Sequence, residues 1–156
     1  MLQVIDRKAV IAGSVVTASA VWAAAILLTP MLPTGAGWLA ALPYLVGSLV
    51  CHQIPERSFH LAGAQLPVCA RCTGLYLGGA LGLVFWATTI WRRRAPWSNR
   101  SALTALAVSG APTALTVATA WLGVADPPNV WRAMFAVPLG AIAGCVVGAV
   151  VTDHLK

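Results

Sequence analysis

One segment of the chain, residues 51–72, collects most of the side chains that could do chemistry. It contains Cys51 and His52 as neighbours, then Cys69 and Cys72 at the CxxC spacing. Thiolate and imidazole groups suit zinc or copper, and a CxxC pair can place two thiolates on one ion. The same spacing is typical of a redox dithiol. A third interpretation is that the cysteines fill a helix interface and His52 bonds a local carbonyl group.

We predict a metal site at these four side chains and keep the redox and packing interpretations open. Adjacent residues rarely bind one ion together, because their side chains diverge by about 100° in a helix and point to opposite faces in a strand. We therefore favour Cys51 as a ligand over His52, which would be a fourth ligand or a hydrogen-bonding neighbour. Four further polar side chains are expected to support the ligands or to contact an anion: Arg57, Ser58, Arg71 and Thr73.

The redox alternative uses Cys69 and Cys72 at the start of a predicted helix. The helix dipole and Arg71 would both stabilise a thiolate there. Against this alternative, the chain has no thioredoxin-like βαβ pattern. Thr73 is expected to cap the helix, and Cys145, alone in the middle of a later helix, is expected to be a packing residue.

Composition places this segment in a membrane protein. Hydrophobic residues make up 59% of the 156 residues and charged residues 9%, against about 25% charged residues in soluble domains. A soluble fold of this size could not bury so much apolar surface. The net charge of +6 comes mainly from Arg92, Arg93, Arg94 and Arg100. Because these arginines directly follow an apolar stretch, we interpret them as a juxtamembrane anchor and exclude a nucleic-acid surface.

The chain is predicted to be one domain, residues 1–156, folded as an all-α, polytopic membrane helical bundle. Four uncharged or nearly uncharged stretches are long enough to cross a bilayer, and a fifth is too short and contains Pro43, which indicates a short or re-entrant helix. The predicted helices are residues 9–28, 38–50 (the short one), 73–91, 102–122 and 133–151. A fifth crossing by residues 38–50 is the alternative. Pro55 and Pro67 are expected to stiffen a loop between the cysteine elements.

Two helices carry glycine at every fourth position, which allows close helix packing. The positions are Gly74, Gly78 and Gly82 in one helix and Gly140, Gly144 and Gly148 in the other. Besides the lipid bilayer, the expected partners are a second copy or a larger membrane complex that docks on these glycine faces. An accessory-subunit role is therefore a third functional hypothesis.

The distribution of arginine and lysine predicts the orientation. Loop 92–100 and the C-terminus are expected in the cytoplasm, and the Cys/His segment on the exterior side. Asp126 and Arg132 would lie on that exterior side as well, where they are expected to pair with each other or with Arg57. No nucleotide, flavin or haem motif is visible in the sequence.

Residues 44–82 resemble DUF2085, a family of small predicted membrane proteins of bacteria and archaea. The resemblance rests on Cys51-His52-Gln53-x-Pro55-x-Arg57-Ser58-Phe59 and on Gln65-x-Pro67-x-Cys69-Ala70-Arg71-Cys72-Thr73-Gly74-x-Tyr76-x-Gly78. It implies location in the cell (inner) membrane of a prokaryote, and it implies no activity, because the function of the family is not established. After residue 100 the chain departs from the family pattern: Thr116, Val117 and Ala120 stand where that pattern has Asp, Gly and Gln. The chain therefore lacks the membrane-embedded acid, which disfavours an enzyme or a proton-coupled transporter.

Overall fold

The computed structural model describes residues 7–33, 36–90 and 97–155. Within these ranges the chain forms five α-helices and a two-stranded hairpin. The helices are α1 (Arg7–Leu28), α2 (Trp38–Ser48), α3 (Ala70–Phe85), α4 (Asn99–Trp121) and α5 (Asn129–Val151). The strands are β1 (Ser58–Leu61) and β2 (Ala64–Cys69). The arginine cluster 92–94 lies outside the described residues.

Four of the helices are long enough to cross a membrane. The apolar stretches Arg7–Met31, Ala70–Thr89, Asn99–Trp121 and Asn129–Val151 have 20 to 25 residues each, and a helix of that length spans about 30 Å or more. Helix α2 has 11 residues and covers only about 16 Å. The predicted combination of four long helices and one short helix is therefore confirmed.

Contacts at one end of the bundle show how the helices alternate. The Lys8 ammonium at the start of α1 lies 2.7 Å from the Asp153 carboxylate just after α5. The Trp97 N–H, just before α4, donates to the His154 carbonyl at 2.7 Å. The beginning of α1 and the end of α5 therefore share one end of the bundle. Four crossings give this arrangement and five do not, because an odd number would place the two termini at opposite ends.

Helices α3 and α5 pack backbone to backbone through their glycines, all six of which are buried. A Cβ atom added at Gly74 or Gly82 would collide with the backbone of Ala133 or Ala141 on α5. The same addition at Gly144 would collide with the backbone of Gly79 on α3. Because the two glycine faces are buried against each other, neither offers a surface for a partner, and this part of the sequence prediction is corrected.

The hairpin is the main element that the sequence did not predict. Strands β1 and β2 pair antiparallel, with Leu61 opposite Ala64. Between them, Ala62 and Gly63 both have positive φ, 52° and 80°, as the tight turn between twisted strands requires. Pro67, expected in a loop, instead lies buried in β2. The structure therefore adds a small two-stranded sheet to the predicted all-α architecture.

The start of α3 also differs from the prediction. The helix begins at Ala70 rather than at residue 73 and has no side-chain cap. Thr73 therefore lies inside the first turn, where its hydroxyl donates to the Cys69 carbonyl at 3.1 Å. The consequence is that Cys69 stands at the boundary of strand and helix, and Cys72 lies in the first helical turn.

Candidate metal centre

Three cysteine thiols meet where α2, β2 and α3 come together. Cys51 follows α2, Cys69 ends β2 and Cys72 lies in α3. Their sulfur atoms all lie within 4.8 Å of one another, and those of Cys69 and Cys72 are 3.5 Å apart. Cys51 is buried, the other two are half-buried, and none of the three forms a disulfide. A single ion could contact all three thiolates.

Backbone N–H groups fix the position of the Cys51 sulfur. The N–H of Cys69 donates to it at 3.2 Å and the N–H of Gln53 at 3.5 Å. Gln53 has a φ of 51°, an unusual conformation for a residue other than glycine. This local turn directs the chain back over the thiol. Such hydrogen bonds orient a metal ligand and support its charge.

Two glutamine side chains hold the segment around Cys51 against the hairpin. The Gln53 amide donates to the carbonyl groups of Tyr44 and Pro67 at 2.8 and 2.7 Å. In the reverse direction, the Gln65 amide donates to the Gln53 carbonyl at 2.7 Å and to the Ser58 hydroxyl at 3.1 Å. Neither glutamine was predicted to belong to the site. Their signal was weak, because a glutamine in a polar segment is ordinarily solvated.

The electrostatic environment favours a thiolate at Cys69. The hydrogen bond from the Cys72 thiol lowers the pKa of Cys69 to about 5, although partial burial opposes this change. Cys69 also lies directly before α3, where the positive end of the helix dipole stabilises negative charge. The lowered pKa favours the thiolate, which is the form that metal binding and thiol chemistry both require.

A cavity of about 180 Å³ opens beside the thiols. Its wall contains the three cysteines and three arginines, together with His52 and its neighbours. The charged and thiol-bearing residues of the wall are Cys51, His52, Arg57, Cys69, Arg71, Cys72 and Arg132. Thiols and guanidinium groups therefore share one cavity.

Two of the arginines belong to membrane-spanning helices. Arg71 of α3 donates to the Thr116 carbonyl at 3.1 Å. Arg132 of α5 donates to the Asn129 side chain at 2.8 Å and pairs with the Asp126 carboxylate. Pairing of Asp126 with Arg132 was one of the expected alternatives and is confirmed, and it holds the pKa of Asp126 below its ordinary value. Sequence analysis did not place Arg132 at the site, although a charge in an apolar span is itself a functional signal.

The other predicted site residues lie apart from the three thiols or serve the local fold. The described cluster does not include His52, which is exposed and lies at the cavity wall. Ser58 is buried and donates to the Ile54 carbonyl at 2.8 Å. Cys145 is buried near Trp86, and its thiol lies 3.4 Å from the Gly82 carbonyl. Cys145 therefore packs between helices, away from the other cysteines.

The opposite surface of the site is closed by contacts between α5 and the hairpin. The Asn129 amide donates to the carbonyl groups of Glu56 and Ser58 at 3.1 and 3.0 Å. On another side of the thiols, Leu66 and Val68 of β2 pack with Cys51 and with Ile26 of α1 in a buried apolar cluster. The thiols are thus held by strand, helix and turn, and the arrangement can bind a soft cation or exchange a disulfide.

Comparison with known proteins identifies relatives of unestablished function. The family model of DUF2085, described as predicted membrane proteins, matches residues 51–146. An uncharacterized protein of Methanothermobacter thermautotrophicus is 36% identical over 107 residues, which are 68% of this chain and 89% of that relative. An uncharacterized protein of Methanocaldococcus jannaschii is 49% identical over 43 residues, 28% of each chain.

No solved structure matches the chain. The matched region of the family model covers more than half of the chain and includes the three clustered cysteines, Arg57, Arg71 and Arg132. The chain therefore belongs to DUF2085, a family of predicted membrane proteins.

Proposed function

We propose that this membrane protein binds one thiophilic transition metal ion, zinc or copper(I), through Cys51, Cys69 and Cys72. The observation that carries the proposal is that three sulfur atoms lie within 4.8 Å of one another, although Cys51 is 18 residues before the Cys69–Cys72 pair in the sequence. Cysteines that only fill space have no reason to converge in this way beside a cavity. The ion would serve either a structural role or metal handling.

The sulfur spacing supports this proposal. Zinc–sulfur bonds are about 2.3 Å long, so tetrahedral zinc places its sulfur ligands about 3.8 Å apart. Cys69 and Cys72 are 3.5 Å apart, and the largest separation in the cluster is within about 1 Å of the tetrahedral value. Rotation of the thiol side chains would be enough to reach it.

The ligand set narrows the choice of metal. Thiolates select zinc and copper(I) over hard ions such as magnesium and calcium. Three protein ligands leave a fourth zinc position open, for water, for a transferred ligand or for His52 at the cavity wall. Copper(I) needs no fourth ligand. The proposal therefore includes His52 as a group that can approach the ion, and not as a required ligand.

We further propose that the cluster faces the cell exterior. The end of the bundle that holds the start of α1 and the end of α5 carries Arg7, Lys8 and Arg100, and basic residues favour the cytoplasmic side. The thiols lie at the other end of α3. In a prokaryote this places them in an oxidising compartment, where a bound metal would protect them from disulfide formation.

Metal analysis of purified protein tests the proposal. The protein would be purified in detergent without chelator, and zinc and copper would be measured per chain for wild type, Cys51→Ser, Cys69→Ser and Cys72→Ser. We expect about one ion per chain in wild type and its loss in each variant. Cys145→Ser is the matched control. Because Cys145 is buried away from the cluster, this variant protein should retain its metal.

Thiol counting separates the proposal from its rival. Thiol–disulfide exchange is favoured by the 3.5 Å sulfur separation and the lowered pKa of Cys69. In that reaction Cys69 and Cys72 would form a disulfide and pass two electrons and two protons to a substrate disulfide. Metal-free protein with two thiols titratable only after reduction would contradict the metal proposal and support this exchange. Metal-free protein with four free thiols would contradict both.

A further inference from the structure

The cavity beside the cysteines holds more positive charge than its neighbours neutralise. Arg57, Arg71 and Arg132 all line it, and among the described residues one carboxylate, that of Asp126, pairs with any of them. The wall therefore keeps two positive charges that no carboxylate neutralises, and a thiolate at Cys69 would leave one of them. Zinc bound to three thiolates would also leave one positive charge, whereas copper(I) bound to three thiolates would leave none.

Two of these arginines also have unused hydrogen-bond donors. The Nε atoms of Arg71 and Arg132 are buried without a hydrogen-bond partner among the described residues. Arg132 as a whole is only 4% exposed. A buried donor without a partner costs about 1–3 kcal/mol, and more when it is charged. These buried donors lie at a cavity whose wall keeps positive charge that no described residue neutralises, and this charge favours an anion there.

The third arginine of the cavity wall, Arg57, is free to bind a ligand in the cavity. Arg57 ends the short turn Pro55–Arg57 and is exposed, and its guanidinium group makes no hydrogen bond or ion pair to any residue that the structure describes. The three guanidinium groups thus come from a turn, from α3 and from α5. Guanidinium groups bind oxyanions through paired N–H donors.

We propose that this cavity binds a phosphate group beside the cysteine cluster. A phosphate offers enough oxygen atoms to accept from three guanidinium groups at once, whereas a carboxylate offers two. The cavity volume of about 180 Å³ is several times the roughly 30 Å³ occupied by one water molecule in the liquid. The phosphate can come from solution or from a lipid headgroup, because the cavity lies at the end of the membrane-spanning helices.

The proposal is independent of the metal. The arginines carry their charge whether or not the thiols hold an ion, so metal-free protein is also expected to bind phosphate. Metal content would be measured for every sample below, so that loss of the metal and loss of phosphate binding are distinguished.

The first arm of the test uses inorganic phosphate. Its binding to detergent-purified protein would be measured by titration calorimetry, with sodium chloride at matched ionic strength as background. We expect Arg57→Gln to weaken binding at least about tenfold, the loss expected for one charge-assisted hydrogen bond. Arg57→Lys should lose less, because it keeps the charge. Arg100→Gln is the matched control, since exposed Arg100 lies at the start of α4, away from the cavity.

The second arm uses a phospholipid. Phosphatidic acid retained by the detergent-purified protein would be counted by native mass spectrometry for the same variants. Retention that depends on Arg57 identifies a lipid headgroup, and binding in the calorimetric arm alone identifies free phosphate. Either result supports the proposal. Failure of wild type in both arms, or an equal loss in Arg57→Gln and Arg100→Gln, would overturn it.

Discussion

The glycine contact between α3 and α5 makes a quantitative prediction for Gly82→Ala. A Cβ atom at Gly82 would lie 2.7 Å from the Ala141 carbonyl carbon and 2.9 Å from its Cα. Carbon atoms in contact are normally about 3.5–4.0 Å apart. The Ala141 carbonyl oxygen would lie closer still. The clashing atoms belong to a helix backbone and cannot rotate away, so the two helices must separate by about 1 Å or more to relieve the clash.

The loss of stability in Gly82→Ala follows from this separation of the two helices. A gap of about 0.5–1 Å removes a quarter to a half of the dispersion energy of the contacts that face it. Overpacked sites generally lose about 1–3 kcal/mol, and we expect Gly82→Ala near the upper end of that range because the obstruction is backbone. Gly13→Ala on α1 is the matched control: its Cβ would have no atom within 4 Å, and alanine is the better helix former by about 1 kcal/mol.

Unfolding in mixed micelles of a mild detergent and sodium dodecyl sulfate would measure the difference. Tryptophan fluorescence can follow unfolding, since Trp86, one of the seven tryptophans, is buried against α5. Gly82→Ala should lower the free energy of unfolding by about 2–3 kcal/mol relative to wild type, and Gly13→Ala should not lower it. Equal stability of the two variants would refute the close backbone contact between α3 and α5.

Three further predictions concern the site. Gln53→Leu removes the side-chain donor to the Tyr44 and Pro67 carbonyl groups, so it should lower the free energy of unfolding by about 1–3 kcal/mol, measured as above. It should also reduce metal content, and unchanged values would refute its positioning role. Thr116→Asp places a carboxylate on the residue whose carbonyl Arg71 bonds, so phosphate binding should weaken, and undiminished affinity in calorimetry would contradict this. Asp126 has a lowered pKa through its bond with Arg132, so its stabilisation is present above its ordinary pKa of 3.8 and lost on acidification below it. Melting temperatures from pH 6 to 3 should therefore fall less for Asp126→Asn than for wild type, and parallel curves would argue against the pair.

The helices were predictable because their signals are local and strong. Uncharged stretches of about 20 residues have few alternatives to a membrane helix, and Pro43 with a short apolar run correctly indicated that α2 does not cross. The regular glycine spacing predicted close packing. It did not tell which surface each face would meet, and the two faces turned out to pack on each other within the chain.

The hairpin was missed because its signals are weak and partly contradictory. Strand β1 has four residues and β2 six, and proline within a strand normally argues against one. The clearest hint was Ala62-Gly63, where a tight turn needs two residues with positive φ. Glycine accepts that conformation readily and alanine does not, so the dipeptide was a weaker signal than Asn-Gly would have been.

The clustering of three of the four predicted metal-binding side chains could be predicted from their spacing, whereas their surroundings could not. The sequence grouped Cys51, Cys69 and Cys72 because CxxC and a nearby cysteine suggest one site. Arg132 lies 60 residues after Cys72 in the sequence, and no local pattern connects them. Their proximity depends on the packing of α5 against α3, which is a property of the folded bundle.

The same helix contact explains why thiols and arginines share one cavity. Because the glycine faces of α3 and α5 pack against each other, Arg132 of α5 lies at the same cavity wall as Cys72 of α3. A membrane interior tolerates such a buried cation only when it has partners, and Asp126 and Asn129 satisfy some of its donors but not Nε. A metal ion held by three thiolates has a net negative charge, so it neutralises part of the positive charge that a phosphate would use. Phosphate is therefore expected to bind metal-free protein at least as tightly as metal-loaded protein.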